Sequence, residues 1–147
     1  MTTFKTHVAL RATHLDQSIA FYRAMFGVDP VKHKVDYAKF DLENPGLNLT
    51  LNVSQDVSTA GTLSHLGIQV DSSEAVQAAI ARFRAAGLAT FEEHDTDCCY
   101  ALQDKVWVTD PDGNRWEIFV VKVSDTAPQE NVGSVSVPTT VEKTCCA

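Results

Sequence analysis

A chain of 147 residues with 44% hydrophobic composition is one domain, or two small halves around a shared core. A formal charge of −7 with no basic cluster argues against nucleic acid and anionic membranes as partners. No apolar run reaches the length of a bilayer span, and the N-terminus lacks the basic-then-apolar layout of a signal peptide, so a soluble cytoplasmic protein is expected.

In chain order, residues 4–10 read as a strand with Thr6, Val8 and Leu10 on one face and His7 and Ala9 on the other. Thr13 to Asp16 has the spacing of a capping box, and Leu15, Ile19, Tyr22 and Phe26 form a helical stripe that Gly27 ends. Strands are expected at 31–35, 37–42 and 47–53, with a turn at Asn44-Pro45-Gly46. Residues 54–61 are polar, lack periodicity and read as a linker. The pattern then restarts. Residues 64–70 form a strand with His65, Gly67 and Gln69 on one face. A helix starts at residues 71–74, with Val76, Ala79, Ile80 and Phe83 as its buried stripe and Gly87 as its stop. A short strand at 88–91 and a very polar loop at 92–97 follow. Residues 100–109 and 114–123 are strands around the Asp110-Pro111-Asp112-Gly113 turn. The segment 124–147 is a Ser/Thr/Pro/Val tail, expected to be flexible.

The order is therefore strand, helix, three strands, twice over. The expected class is α+β, with one domain over 1–123: module one at 4–53, linker at 54–61 and module two at 62–123. A repeat this long implies pseudo-twofold packing of its halves. His7 and His65 hold the same place in their halves, each beside a small residue, Ala9 or Gly67. Counting on from Gly46 and Gly113, Thr50 falls opposite Glu117, whose face Arg115 and Phe119 share. Two imidazoles and one carboxylate on rigid strands are the ingredients of a three-ligand site with open positions, typical of non-haem iron(II) oxygenases. Zinc or manganese with the same ligands remain alternatives. So does the plain reading of His7, His65 and Glu117 as satisfied polar residues on strands.

Four cysteines come as two vicinal pairs, Cys98-Cys99 and Cys145-Cys146. Neighbouring cysteines rarely bridge each other without strain; bridging between the two pairs is the alternative in an oxidising compartment, and four reduced thiols are expected in a leaderless chain. Adjacent thiols can grip a soft, thiophilic atom. Tyr100 and Lys105 are candidates for orienting a substrate, with a rim tyrosine and a surface lysine as the plain alternatives. Trp107 and Trp116 read as core. His14, His33 and His94 read as helix-start, strand and loop residues, with His94 near enough to the cysteines to be a spare ligand. Cys145-Cys146 reads as an incidental part of the tail, with thiophilic capture as the alternative.

The doubled order, with His7, His65 and Glu117 so placed, resembles the vicinal oxygen chelate superfamily of glyoxalase I, extradiol dioxygenases and antibiotic-resistance proteins, over residues 4–123. That resemblance implies two βαβββ modules forming a curved mixed sheet around a metal-containing cavity. Cys98-Cys99-Tyr100-Ala101, followed by Gln103-Asp104-Lys105 and residues 107–113, is similar to the organoarsenical carbon–arsenic lyases. The resemblance implies iron(II) held by His7, His65 and Glu117, trivalent arsenic held by Cys98 and Cys99, dioxygen as co-substrate and arsenite as product. Tyr100, Lys105, Arg115 and Phe119 would surround them. The partner would be a small trivalent organoarsenical, methyl or aryl, with no nucleic acid and no membrane. The halves pair within one chain or swap within a homodimer; both stay open. Competing functions are a thiophilic-metal or arsenical-sequestering resistance protein, another metal enzyme of the superfamily, and a structural domain.

Overall fold

The computed structural model describes residues 4–56, 61, 63–98 and 100–130. Module one runs β1 (Thr6–Ala12), α1 (Leu15–Phe26), β2 (Lys32–Lys34), β3 (Tyr37–Leu42) and β4 (Leu47–Val53). Module two runs β5 (Leu66–Gln69), α2 (Ser73–Ala85), β6 (Phe91–Cys98), β7 (Ala101–Thr109) and β8 (Arg115–Val123). Each module makes its own four-stranded mixed sheet, ordered β1-β4-β3-β2 and β5-β8-β7-β6. The first strand of each module pairs parallel with the last, and the remaining pairs are antiparallel.

The repeat holds at the level of single residues. Ala9 lies across from Thr50 on β1–β4, and Gly67 lies across from Glu117 on β5–β8. Amphipathic patterning decides which side is buried. Leu15, Ile19, Tyr22 and Met25 on α1 and Val76, Ala79, Ile80 and Phe83 on α2 are buried. They meet alternate residues of both sheets, among them Phe40, Leu49, Leu51, Val106, Trp116 and Ile118, in one core shared by the modules. α1 ends where Gly27 takes a left-handed conformation at φ 70° and donates its N–H to the Arg23 carbonyl, as a residue without Cβ does readily.

A polar clasp joins the modules through this core. The Tyr22 hydroxyl on α1 donates to Asp110 Oδ2 at 2.5 Å and accepts from Trp116 Nε1 at 3.1 Å. Asp110 also receives the backbone N–H of Asp112 and of Asn114, which closes the tight turn before β8. Burial, and then the Asp110 charge, push the Tyr22 phenol far above its usual range, so it stays a donor. The Tyr22 ring meets Trp116 edge-on at 5.9 Å, a geometry suited to aromatic quadrupoles.

Several expectations change. Thr13 does not cap α1. Its hydroxyl donates to Asp112 across the modules at 2.6 Å, and the N-cap, His14, makes no side-chain cap bond. α2 is capped as its sequence predicts, Ser72 accepting from the Ala75 N–H. The expected short strand at 88–91 is absent. The polar stretch taken as a loop is instead strand β6, starting at Phe91. It lies at the sheet edge, where charged side chains remain in water and deter further strand pairing. β5 starts at Leu66, so His65 stands just before the strand rather than in it. The segment after β8 begins bound rather than free. Thr126 donates its N–H to the Tyr100 carbonyl and its hydroxyl to Asp97. Cys145-Cys146 and residues 57–60 of the expected linker lie outside the described residues.

Replacing Tyr22 with Phe keeps the ring and removes the clasp. Urea unfolding should show a loss of about 1–3 kcal/mol, the range for a buried hydrogen bond to a charged group.

Candidate functional site

Strand register builds one face of the second sheet. Gly67 lies across from Glu117, Glu117 across from Trp107, Phe119 across from Lys105, and Lys105 across from Glu93. Residues paired in register point the same way, so these side chains share the face opposite the core. Glu117 is 8% exposed, and a carboxylate taken out of water needs a positive partner. It has one in Lys105. Lys105 Nζ is 3.0 Å from Oε2, and His65 Nε2 is 3.5 Å from Oε1.

The surroundings fit this pair closely. The His65 ring sits edge-on to Trp107 at 5.0 Å, and the Arg115 guanidinium covers the same indole at 4.7 Å. Trp107 Nε1 donates to Glu93 Oε2 at 2.7 Å. A Cβ at position 67 would come within 3.0 Å of Glu117 Cγ and 3.3 Å of Oε1. Gly67 is therefore a cradle for the carboxylate.

The donor set suits a divalent ion. Two ligands each about 2.1 Å from one ion stand about 3–3.5 Å apart, close to the spacing of His65 Nε2 and Glu117 Oε1. The Lys105 ammonium already stands as a cation against the same carboxylate. His7 is prepared in a similar way. Its Nδ1 lies 3.1 Å from the Asn48 carbonyl, which can only accept, so Nδ1 is the donor in that contact and Nε2 is the ring nitrogen left to face a metal. His65 Nδ1 is likewise engaged, by Ser64 Oγ at 2.9 Å.

His7 is nevertheless on the other sheet. It lies on β1 and His65 just before β5, and these two edge strands flank a crevice of about 250 Å³. Among the described residues, no three of His, Cys, Asp and Glu converge as a metal site. The structure brings Glu117, His65, Lys105, Arg115 and Phe119 onto or beside one face, and leaves His7 apart. Thr50, the counterpart of Glu117, is buried and accepts from Asn52 at 3.5 Å.

The thiol segment is also apart. Cys98 pairs with Ala101 and Glu117 with Trp107, six positions further along β7, which is about 20 Å at the rise of a strand. Cys98 is buried and disulfide-bonded, whereas reduced thiols are expected from the sequence; Cys99 lies outside the described residues. Tyr100 turns the chain into β7 with a left-handed φ of 61°. Asp104 anchors this hairpin from the helix side. It accepts from Ser73 Oγ and the Asp95 N–H and pairs with Lys122 at 2.7 Å. Burial alone would raise its carboxyl, but the Lys122, Asp95 and Ser73 hydrogen bonds outweigh that and hold it at about 2.

The profile of the glyoxalase/bleomycin resistance protein/dioxygenase superfamily matches residues 6–118. The chain belongs to this superfamily. It is 46% identical over 144 residues to a protein of Bacillus sp. strain MD1 named trivalent organoarsenical cleaving enzyme, covering 96% of this chain and 89% of that one. It is 46% identical over 117 residues to the cadmium-induced protein CadI of Mycobacterium bovis, covering 80% and 76%. Among solved structures, a superfamily member from Alicyclobacillus acidocaldarius superposes with a TM-score of 0.67 at 17% identity, over 81% of this chain and 92% of that one. That likeness concerns the fold alone.

Trp107 is buried, as expected, but it lies outside the core cluster shared by the modules. The register sets Trp107 beside Glu117, and its parity with Lys105 along the strand was the available signal. Lys105 is likewise no surface residue, being 1% exposed. Trp116 is in the core as expected.

Gly67→Ala should cost about 1–3 kcal/mol in urea unfolding, since Glu117 must move to admit the methyl group. Asp104 has a depressed folded-state carboxyl, so its contribution to stability is complete above its ordinary value of 3.8 and is lost as pH falls toward about 2. Asp104→Asn should therefore be the less stable protein at neutral pH. In acid-unfolding curves its deficit should shrink across that window.

Proposed function

We propose that this protein cleaves the carbon–arsenic bond of trivalent organoarsenicals, methyl or aryl, and releases arsenite, using iron(II) and dioxygen. The observation that carries this reading is 46% identity over 96% of the chain to a trivalent organoarsenical cleaving enzyme. The adjacent Cys98 and Cys99 fit it. In this reading residues 1–123 are the functional domain, with modules 4–53 and 62–123, and 124–147 is an appendage.

Trivalent arsenic is soft and prefers sulfur. A monosubstituted arsenical, R–As(OH)₂, condenses with two thiols, forming two As–S bonds and releasing two waters. Cys98 and Cys99 supply both sulfurs and leave the carbon substituent free. A disubstituted arsenical offers one exchangeable position and is held less firmly. Pentavalent forms need prior reduction. A sulfur in a disulfide has no thiol to exchange, so Cys98 must be reduced before it binds arsenic. That requirement suits a reducing compartment such as the cytoplasm. No described helix is long and apolar enough to cross a membrane.

His65 and Glu117 are two of the proposed iron ligands and His7 the third. Iron(II), when bound, supplies electrons and open coordination positions for dioxygen. Lys105, Trp107 and Phe119 wall the Glu117 side and limit water there. His7 reaches this face by closure of β1 onto β5, or from a second copy in a homodimer with exchanged modules. Either route would make the curved sheet and metal-containing cavity that the two separate sheets lack. The β6–β7 tip must also travel, because holding arsenic beside the metal turns an encounter of several partners into an intramolecular step.

Anaerobic reconstitution with iron(II) under reducing conditions, followed by a trivalent monosubstituted arsenical with and without oxygen, tests the proposal. Arsenite appearing only when both iron and oxygen are present is the expected result. Tight arsenical binding without arsenite would instead leave a sequestering protein. Cys98→Ser and Cys99→Ser should retain iron and lose arsenical binding, His65→Ala and Glu117→Ala should do the reverse, and turnover should fall to background in all four.

A further inference from the structure

Lys105 is in the middle of β7 and is 1% exposed. Lysine is almost never buried so fully unless it is paired. Its ammonium is 3.0 Å from Glu117 Oε2. Two rings from the same face flank it, Trp107 at 5.6 Å and Phe119 at 5.9 Å. Both distances are within the range where an aromatic face attracts a cation. The rings keep the ammonium close to the carboxylate and restrict its choice of position.

The two oxygens of Glu117 thus have different partners. Oε2 faces Lys105, and Oε1 faces His65 Nε2. Gly67 leaves room on the Oε1 side, where a Cβ would press on that oxygen at 3.3 Å. A carboxylate can give a metal one oxygen or both. Here one oxygen is already committed to an ammonium that sits too deep to move into solvent.

We propose that Lys105 is a positioning residue that fixes Glu117 as a one-oxygen metal ligand, with Oε1 presented beside His65 and Oε2 withheld. The inference rests on the metal-centre reading above. It assigns Lys105 no contact with the substrate. By withholding one donor atom, Lys105 keeps a coordination position open at the metal. Its positive charge also opposes a second cation nearby, so metal binding is weaker than the bare ligands would give.

The test uses the reduced full chain and cobalt(II) as a visible probe of coordination. Lys105→Met keeps the length and apolar contacts of the side chain and removes the ammonium. With both oxygens free to ligate, the variant should bind cobalt(II) about tenfold more tightly, from loss of the like charge. Its visible bands should shift and weaken as the coordination number rises. A general packing role for Lys105 would lower the apo-protein Tm without moving those bands. A cobalt spectrum that superimposes on wild type, with affinity unchanged, would overturn the proposal while leaving the metal centre intact. Failure of the wild type to bind cobalt(II) would overturn the metal-centre reading, and the proposal with it.

If Lys105→Met does not fold, the wild type answers by nitrogen-15 NMR of its lysine ammonium groups during zinc(II) titration. The Lys105 signal should persist at metal saturation. Its disappearance on metal binding would show that the lysine leaves Glu117 and would overturn the proposal.

Discussion

A hydroxyl shared between two modules holds the molecule in register. Tyr22 belongs to the first helix, and both of its partners, Asp110 and Trp116, belong to the second module. Each module presents an amphipathic helix and one apolar sheet face, and neither half has enough surface to bury these alone. The apolar contacts between the halves are not directional. The clasp is, because a buried phenol, carboxylate and indole N–H must find one another or remain unsatisfied. The same Asp110 closes the turn that starts β8. The placement of Glu117, two residues into that strand, is therefore tied to the contact between the halves.

The repeat was legible in the sequence because apolar spacing is periodic and the capping and turn residues recur at matching places. The helix stripes, the shared face of Glu117, Arg115 and Phe119, and the burial of Trp116 all follow from that spacing. β6 was not legible. Glu92, Glu93, Asp95 and Asp97 have the composition of a loop, and only their position at a sheet edge lets them form a strand. Thr13 had the right spacing for a helix cap, but the Asp112 carboxylate competes for its hydroxyl from 99 positions away. Local spacing cannot weigh a partner that distant. The role of Lys105 was hidden for a related reason. A lysine in a sequence reads as surface, and its burial depends on a carboxylate from the neighbouring strand.

The candidate site contains one preassembled part and two separate ones. His65, Glu117, Lys105 and Trp107 are packed together on a sheet face. His7 and the cysteine tip stand on other elements. A metal gains from rigid ligands, whereas Cys98, buried and held in a disulfide, becomes open to a soft atom only on reduction.

The pairing of Gly67 with Glu117 and of Ala9 with Thr50 bears on how such a duplicated scaffold can diverge. A glutamate at position 50 would recreate on the first sheet the arrangement of the second. By analogy with Gly67, it would first need Ala9 to become glycine, because a β-carbon at that place crowds the longer side chain. The reverse change is free of that order, since a glycine tolerates either neighbour. Loss of the carboxylate is then a single step and gain is two steps in sequence, so lineages built on this repeat should shed it more readily than they acquire it.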